Sequence, residues 1–512
     1  MIYQEVLLDS ALFKKELTPN AKAFITTNKT VLSATFFPEV KAYTKVLDAG
    51  YAKILTSNLH TIISMLTSGG KILLYVQPFD ICQRAEQLSA SGYKVCVVTE
   101  DCLLIDRLLN GSAVNADVYD LNRDSLTPHH SRPSNVCTVD KTTTHERIDG
   151  VTTGTVLRTR NAFSHTLGER LTEDGAEGYV YHVAGKSDIV AKIYKTPPSY
   201  EKRLHLEKLL AVGKEARAPW CAFPDNLLYH NGALVGFTMP KIYCRTMSED
   251  SLYLGDDEDI AEDRLDNKLT YQLDFCITLL TQIKVLNCFG ISIPDFNDTN
   301  FSTYTDGKPV VMYDADSFVY GSYFGNFIDD KAFSRPYRHN NKEQLAQMCE
   351  ENALKMVFRI LSLGMYPFAG EDQPYLFVTG NKDLTYRRQY FPDNVLNRLD
   401  AVFSAREPAS LGLVLFELSE ARGELLKMPK KNITLHQMRD NALSSIGIQP
   451  PKQNFSGNTY AESFASYNSA APDSNSQPKK SRKKHILPWI ALLSALAGGI
   501  FWLLISQGII TL

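Results

Sequence analysis

The chain has 512 residues, too many for one ordinary hydrophobic core, so two folded domains plus linkers are expected. Its 54 Lys and Arg against 57 Asp and Glu leave a formal net charge of −3, which excludes general, charge-driven coating of nucleic acid. The nine cysteines form no CxxC pair and have no histidine at ligand spacing, which argues against a zinc site or a disulfide framework.

Residues 1–121 alternate strand-like runs, such as "EVLLD", "KILLYVQ" and "KVCVVTE", with helix-like segments. This alternation predicts an α/β domain with a parallel sheet. Acidic residues stand where strands end or helices begin, namely Asp9, Glu39, Asp80 and Asp101. Because carboxyl ends of parallel strands share one edge, these carboxylates are candidate ligands of Mg²⁺ or Mn²⁺ for attack on a phosphodiester. The same acids would equally suit helix N-caps and turns.

The motifs "LLDSALF" and "VTEDCLL" resemble the opening strand and a late strand end of the PIN domain family of metal-dependent ribonucleases. The resemblance implies a PIN-like fold over residues 1–121, with metal at the four acids and RNA as a possible partner. Residues 122–155, rich in Ser, Thr, Pro and His, are predicted to be a linker.

Residues 156–448 contain a second set of motifs, which begins with a glycine-containing hairpin. Gly175 and Gly178 in "DGAEGYVY" suit a backbone that approaches a ligand closely. Lys192 lies on the apolar strand "VAKIY", where its ammonium group needs anionic partners. Glu207 in the following predicted helix is one candidate partner, and the phosphates of a nucleotide are the other.

Three polar positions follow further along. Asp295 and Asn300 belong to "PDFNDTN", and Asp314 ends the strand-like run "VVMYD". Phosphoryl transfer needs one carboxylate to orient the attacking hydroxyl, and an amide with a second carboxylate to hold magnesium. A polar surface turn is the alternative interpretation of "PDFNDTN" by itself.

Together these motifs resemble the eukaryotic-like protein kinase superfamily, in a divergent bacterial form. "VAKIY" is similar to its phosphate-lysine strand, "DFNDTN" to its D-x-x-x-x-N loop, and "YDADSF" stands where its metal-binding DFG stands. The resemblance implies an α+β bilobal fold that uses ATP and Mg²⁺. It also implies roles for the motif residues: Lys192 on the phosphates, Glu207 on Lys192, Gly175 and Gly178 in the lid, Met239 and Pro240 beside adenine, Asp295 on the substrate hydroxyl, and Asn300 and Asp314 on magnesium.

Several positions depart from the kinase pattern. Glu173 replaces the first glycine of the lid, and Ile293 and Pro294 replace the usual His and Arg before the catalytic Asp. Ala315 and Asp316 replace the Phe and Gly of DFG. The two carboxylates and the amide that the chemistry requires, Asp295, Asp314 and Asn300, are all present.

The C-terminal part is predicted to anchor the chain in a membrane. Residues 449–485 form a polar linker that ends in the basic run "PKKSRKKH", and residues 486–508 carry no charge. About 20 apolar helical residues span a bilayer, and the basic flank predicts that the bulk of the chain is cytoplasmic. A buried core helix is the alternative.

The leading functional interpretation is therefore a membrane-anchored kinase that phosphorylates Ser or Thr on cytoplasmic proteins. A pseudokinase scaffold that only binds nucleotide is one alternative. A PIN-type ribonuclease regulated by the kinase-like domain is the other.

Overall fold

The computed structural model describes only part of the chain, and the account below is confined to that part. The described residues are 3–68, 71–110, 116–119, 138–139, 148, 150–172, 175, 177–242, 265–296, 300–302, 309–320, 323–324, parts of 349–361, 397–398 and 410–427. All of them lie in the first of two compact units, Met1–Leu435.

The N-terminal domain is a five-stranded sheet in the order β3-β2-β1-β4-β5, and every strand pair is parallel. Its strands are β1 (Glu5–Leu8), β2 (Thr30–Leu32), β3 (Ile72–Leu74), β4 (Val95–Val98) and β5 (Ala116–Tyr119). The central strands β1 and β4 are buried along their whole length, as expected when helices cover both faces of a parallel sheet. The predicted parallel α/β sheet is thereby confirmed.

Five helices accompany this sheet: α1 (Pro19–Thr27), α2 (Phe36–Val46), α3 (Ala49–Thr67), α4 (Ile81–Ala90) and α5 (Cys102–Asn110). Side chains that accept backbone N–H groups fix where three of them begin. Thr18, Asp48 and Asp80 cap α1, α3 and α4 in this way.

A short strand, β6 (Thr138–Val139), lies within the stretch predicted to be a linker. After it, six antiparallel strands close into a barrel in the order β10-β12-β11-β7-β8-β9. They are β7 (Val156–Thr159), β8 (Ser164–Arg170), β9 (Gly178–Val183), β10 (Lys186–Tyr194), β11 (Asn226–His230) and β12 (Ala233–Pro240). Helix α6 (Tyr200–Ala216) connects β10 to β11 and starts at the Ser199 cap.

The third region contains two described long helices, α7 (Leu265–Cys288) and α8 (Leu411–Lys427), which pack against each other. Arg422 of α8 joins them by donating from Nη2 to Asp274 of α7 at 2.8 Å. A small sheet follows α7 in the order β13-β14-β15-β6. Its remaining strands are β13 (Ile291–Ser292), β14 (Val319–Tyr320) and β15 (Tyr323–Phe324).

Helix α2 of the N-terminal domain packs on both α7 and α8. The predicted membrane span at 486–508 and the polar linker at 449–485 lie outside the described residues. Within the described part of the chain, no helix is both long and apolar enough to cross a bilayer.

Candidate functional site

Lys192 lies two residues before the end of β10, the strand that pairs with β9 on one side and β12 on the other. Only 8% of the residue is exposed. Its ammonium donates to Oδ1 of Asp314 and, at 2.7 Å, to Oδ1 of Asp316. Burial by itself would lower the pKa of Lys192, but the Asp314 and Asp316 carboxylates raise it above its ordinary value. Lys192 is therefore charged and already bound to two anions.

Asp316 is fully buried and accepts from three side chains. Besides Lys192, the Tyr194 hydroxyl donates to its Oδ2 at 2.8 Å, and Lys202 of α6 lies 3.5 Å from the same oxygen. Lys202 also donates to the Asp316 backbone carbonyl at 3.0 Å. Burial opposes the charge of Asp316, but Lys192 and Lys202 together hold the pKa of this carboxyl below its ordinary range. We call these five residues, Lys192, Tyr194, Lys202, Asp314 and Asp316, the Lys192 cluster.

Asp314 differs from Asp316 in backbone and in exposure. Its φ of 53° and ψ of 35° are left-handed, an uncommon conformation for a residue other than glycine. The 3-10 turn Ala315–Ser317 maintains it, because Ser317 donates from its backbone N–H and its hydroxyl to the Asp314 carbonyl. The Asp314 side chain is 36% exposed. This carboxylate can therefore accept a further cation from the solvent side.

Asp295 and Asn300 join the site through a chain of contacts. The Asn300 amide donates to Oδ2 of Asp295 at 3.1 Å. The carbonyl of Asn300 accepts the N–H of Tyr313, the neighbour of Asp314, at 2.8 Å. Beside them, the ring centres of Phe296 and Phe301 lie 5.3 Å apart in a stacked arrangement, and both rings are almost fully buried. The four residues predicted to act in phosphoryl transfer are thus linked to one another by direct contacts or through one adjacent residue.

The predicted pair of Lys192 with Glu207 does not form. Glu207 instead lies 3.4 Å from Arg160 and 3.5 Å from Arg203, both more than one-third exposed. The physical reason is which face of α6 each side chain occupies. Lys202 is on the buried face of this helix, and Asp316 supplies the carboxylate that Lys192 needs. The helix α6 therefore contributes the cation of Lys202 to the site, where the prediction had it contribute the carboxylate of Glu207.

The other predicted nucleotide-contacting residues lie on the barrel. Gly178 begins β9, where a Cβ would come within 2.5 Å of the Ile193 carbonyl, and Gly175 stands three residues earlier, where a Cβ would come within 2.1 Å of the Gly178 carbonyl. Glycine is required at both by close backbone packing within the hairpin. Met239 and Pro240 end β12 and pair with Val190 and Ile189 of β10. The segment that follows β12 lies largely outside the described residues.

The acids at the edge of the N-terminal sheet are held differently from the prediction. Asp9, Glu39 and Asp101, here called the acidic cluster, are all buried. Lys284 of α7 places its ammonium 3.0 Å from Oε2 of Glu39. Burial by itself would lower the pKa of Lys284, but Glu39 and the other two acids raise it well above its ordinary value. In the part of the chain that the structure describes, no group of three or more His, Cys, Asp or Glu side chains is arranged to hold a metal. The counter-ion of this cluster is an internal ammonium in place of the predicted divalent cation.

Hydrogen bonds also occupy these acids. Asp9 accepts from the Thr99 hydroxyl at 2.6 Å and from the Ser10 N–H at 2.8 Å. Asp101 accepts from the N–H groups of Leu103 and Leu104 at the start of α5. Asp80, the fourth predicted ligand, accepts from Gln83 as the cap of α4. Helix capping, the alternative interpretation of these acids, describes Asp80 and Asp101 correctly.

Sequence reasoning missed Lys202, Tyr194 and Asp316. One signal was present in the sequence: "YDADSF" places a second acid two residues after Asp314, in a segment apolar enough to be buried. A buried carboxylate needs cationic partners, so Asp316 could have been sought next to Lys192. Lys202 carries no such signal, because its burial depends on how α6 packs.

No protein-family model matches the chain. Over 243 residues it is 26% identical to Protein kinase YegI of Escherichia coli (strain K12), in an alignment that covers 45% of this chain and 36% of that protein. The chain thus matches only about a third of the relative's length. This similarity supports a kinase-like domain in the chain.

The solved structure of vaccinia related kinase 3 superimposes with a TM-score of 0.37 and 13% sequence identity, over 55% of this chain and 94% of that one. The PIN-like assignment of the N-terminal domain stays a prediction.

Proposed function

We propose that the chain is an ATP- and Mg²⁺-dependent protein kinase that phosphorylates Ser or Thr hydroxyls of cytoplasmic proteins. The observation that carries the proposal is the contact of Lys192 with Asp314, next to the hydrogen-bonded pair Asp295 and Asn300. A buried, charged lysine beside a partly exposed carboxylate is the arrangement that a triphosphate and its cation require.

Lys192 binds the phosphates. Its ammonium is fixed by Asp316 within the protein, so little side-chain entropy is lost when ATP binds. The same fixed position allows it to stabilise charge that develops on phosphate oxygens, without reorganisation at the moment of reaction.

Asp314 and Asn300 supply a carboxylate and an amide oxygen, which are hard oxygen donors of the kind that Mg²⁺ prefers. The donor set fits, because two protein ligands suffice when phosphates and water complete the coordination. When bound, Mg²⁺ neutralises negative charge on the β- and γ-phosphates. The amide nitrogen of Asn300 donates to Asp295, which leaves the amide oxygen available for a cation.

Asp295 orients the substrate hydroxyl and accepts its proton. In the transfer, the hydroxyl oxygen forms a bond to the γ-phosphorus, and the bond from that phosphorus to the β–γ bridging oxygen breaks. The proton of the hydroxyl moves to the Asp295 carboxylate, and ADP leaves with the electron pair of the broken bond. Asn300 keeps the carboxylate in place through its 3.1 Å hydrogen bond.

The membrane location is a further part of the proposal. It rests on the charge-free run 486–508 and on the basic residues before it, both read from the sequence. With this orientation the kinase-like domain would face cytoplasmic substrates.

The test is phosphotransfer from labelled ATP to a generic protein substrate by the full chain in detergent. Asp295→Asn and Asp314→Asn should each abolish incorporation, because one removes the proton acceptor and the other a magnesium ligand. Glu201→Gln, an exposed acid on α6, is the matched control and should keep wild-type incorporation. Equal incorporation by wild type and both site variants would refute the proposal. ATP binding without any transfer by the wild type would favour the pseudokinase interpretation.

A further inference from the structure

The N-terminal domain contacts the kinase-like domain directly beside the segment that carries Asp295. Helix α7 ends at Cys288, and its last carbonyl accepts from the Lys14 ammonium of the N-terminal domain. The Lys14 ammonium also lies 4.8 Å from the ring centre of Phe289, and the Phe13 ring is 6.3 Å from that same ring. A cation at a helix C-terminus is favourable, so Lys14 helps to fix where α7 ends.

Lys284, one turn before the end of α7, anchors the same helix in the acidic cluster. Its side chain is only 13% exposed and that of Glu39 only 5%. Helix α8 closes the cluster from another side, since a Cβ at Gly412 would come within 2.8 Å of Oε1 of Glu39. A buried ion pair of this kind is costly to break, because removing one partner leaves an uncompensated charge.

A second line of contacts runs from the N-terminal domain to Asp314. The Trp220 indole donates to the carbonyl of Val46, at the end of α2, across 2.8 Å in the interior. The Trp220 carbonyl in turn accepts the N–H of Met312 at 2.8 Å, and Ala222 donates to the Met312 carbonyl at 2.9 Å. Met312 precedes Asp314 by two residues. Val46, Trp220 and Met312 therefore connect the N-terminal domain to the magnesium side of the proposed site.

We propose that the N-terminal domain positions two segments of the kinase-like domain that carry the site. The acidic cluster binds Lys284 and thereby holds residues 285–296. The Val46–Trp220–Met312 contacts hold residues 310–314 in the geometry that the site needs. The partner of this surface is the kinase-like domain of the same chain. The consequence for catalysis rests on the proposed kinase function, whereas the positioning itself does not.

Hydrogen exchange of the full chain, read by mass spectrometry, tests the positioning without any phosphotransfer. Lys284→Met should accelerate exchange about tenfold or more in residues 285–293, since α7 loses its anchor, while β9 and β10 keep wild-type rates. Trp220→Phe keeps an aromatic side chain and removes the indole N–H donor, so exchange should rise at the Met312 and Tyr313 amides. Lys53→Met, at an exposed lysine of α3, is the matched control and should change neither segment.

Wild-type protection in both segments of the variants would overturn the proposal. An equal acceleration throughout the barrel would overturn it as well, because the effect would then be a general loss of stability. If Lys284→Met does not fold, Trp220→Phe carries the test with the same two outcomes.

Millimolar Mn²⁺ should leave wild-type exchange of residues 285–293 unchanged. Release of residues 285–293 by Mn²⁺ would show that the acidic cluster takes a metal after all, and would also overturn the proposal.

Phosphotransfer is measured separately. Should the wild type transfer no phosphate, the kinase proposal fails while the exchange result still decides the positioning role.

Discussion

Two largely buried lysines, Lys192 and Lys284, hold charged groups together in different parts of the molecule. Both have carboxylate neighbours, and for both these neighbours outweigh burial, so that the pKa is raised. They differ in how accessible the partners are. The partner of Lys284 is the Glu39 side chain, 5% exposed, whereas Lys192 contacts both the fully buried Asp316 and the 36% exposed Asp314.

This difference distinguishes a fixed ion pair from a binding site. Around Lys284, the described partners satisfy the ammonium inside the protein, and α8 covers the pair. Around Lys192, Asp316 holds the ammonium in place while Asp314 remains accessible to another ligand. A buried lysine therefore indicates a binding site only where at least one of its carboxylate partners is exposed enough to bind a further ligand.

The largest effect is expected for Lys192→Met. Loss of the fixed ammonium should lower kcat/KM for phosphotransfer roughly 10³-fold, because a preorganised cation at the phosphates is removed. Lys284→Met should change kcat/KM much less in the molecules that remain folded. Steady-state kinetics on both variants checks this, and equal losses in the two would remove the distinction drawn here.

Stability is the main property that Lys284→Met should change. Lys284→Met leaves the acidic cluster without its cation, and the free energy of unfolding of the N-terminal domain together with α7 should fall by about 3–5 kcal/mol, while the barrel keeps its stability. Glu39→Gln in the same chain should restore part of this loss, since it removes the stranded carboxylate. Chemical denaturation of the two single variants and the double variant gives the coupling. Additive losses would mean that the two residues do not act as a pair.

Asp316 should act through Lys192. Asp316→Asn is expected to reduce kcat/KM roughly 10- to 100-fold, whereas Glu207→Gln should leave it within about twofold of wild type. Adding Asp316→Asn to Lys192→Met should cost little more, because residues that act as a unit are not additive. A large loss in Glu207→Gln would restore the pairing that sequence resemblance predicts.

A final effect concerns pH. Burial and the neighbours Glu39 and Asp101 raise the pKa of Asp9 from 3.8 to about 6, although Lys284 opposes them. The folded protein then binds more protons than the unfolded chain between pH 3.8 and about 6, so its stability falls as pH rises through this window. Asp9→Asn should remove that dependence and raise stability at pH 7 by about 3 kcal/mol, with no difference near pH 3. Thermal unfolding at several pH values checks it, and a parallel pH dependence in wild type and variant would contradict it.

Residue spacing and periodicity predicted much of this architecture. Alternating apolar runs predicted the parallel sheet, because neighbouring positions along a strand or helix encode that pattern directly. The motif order Lys192, Asp295, Asn300 and Asp314 predicted one connected site, and the contacts among these residues agree with it. The Glu207 pair does not form, and Lys284 lies beside the acidic cluster at which the sequence predicts a metal. Both contacts depend on how elements that are distant in sequence pack together.

The sequence by itself determined where the chain places its charged groups and which local elements carry them. Only the tertiary structure decided which opposite charge each buried group meets: Asp316 for Lys192, and Glu39 for Lys284. The physical reason is that a charge removed from water requires a counter-ion within a few ångströms, and at that distance the partners are brought together by packing between elements far apart in sequence.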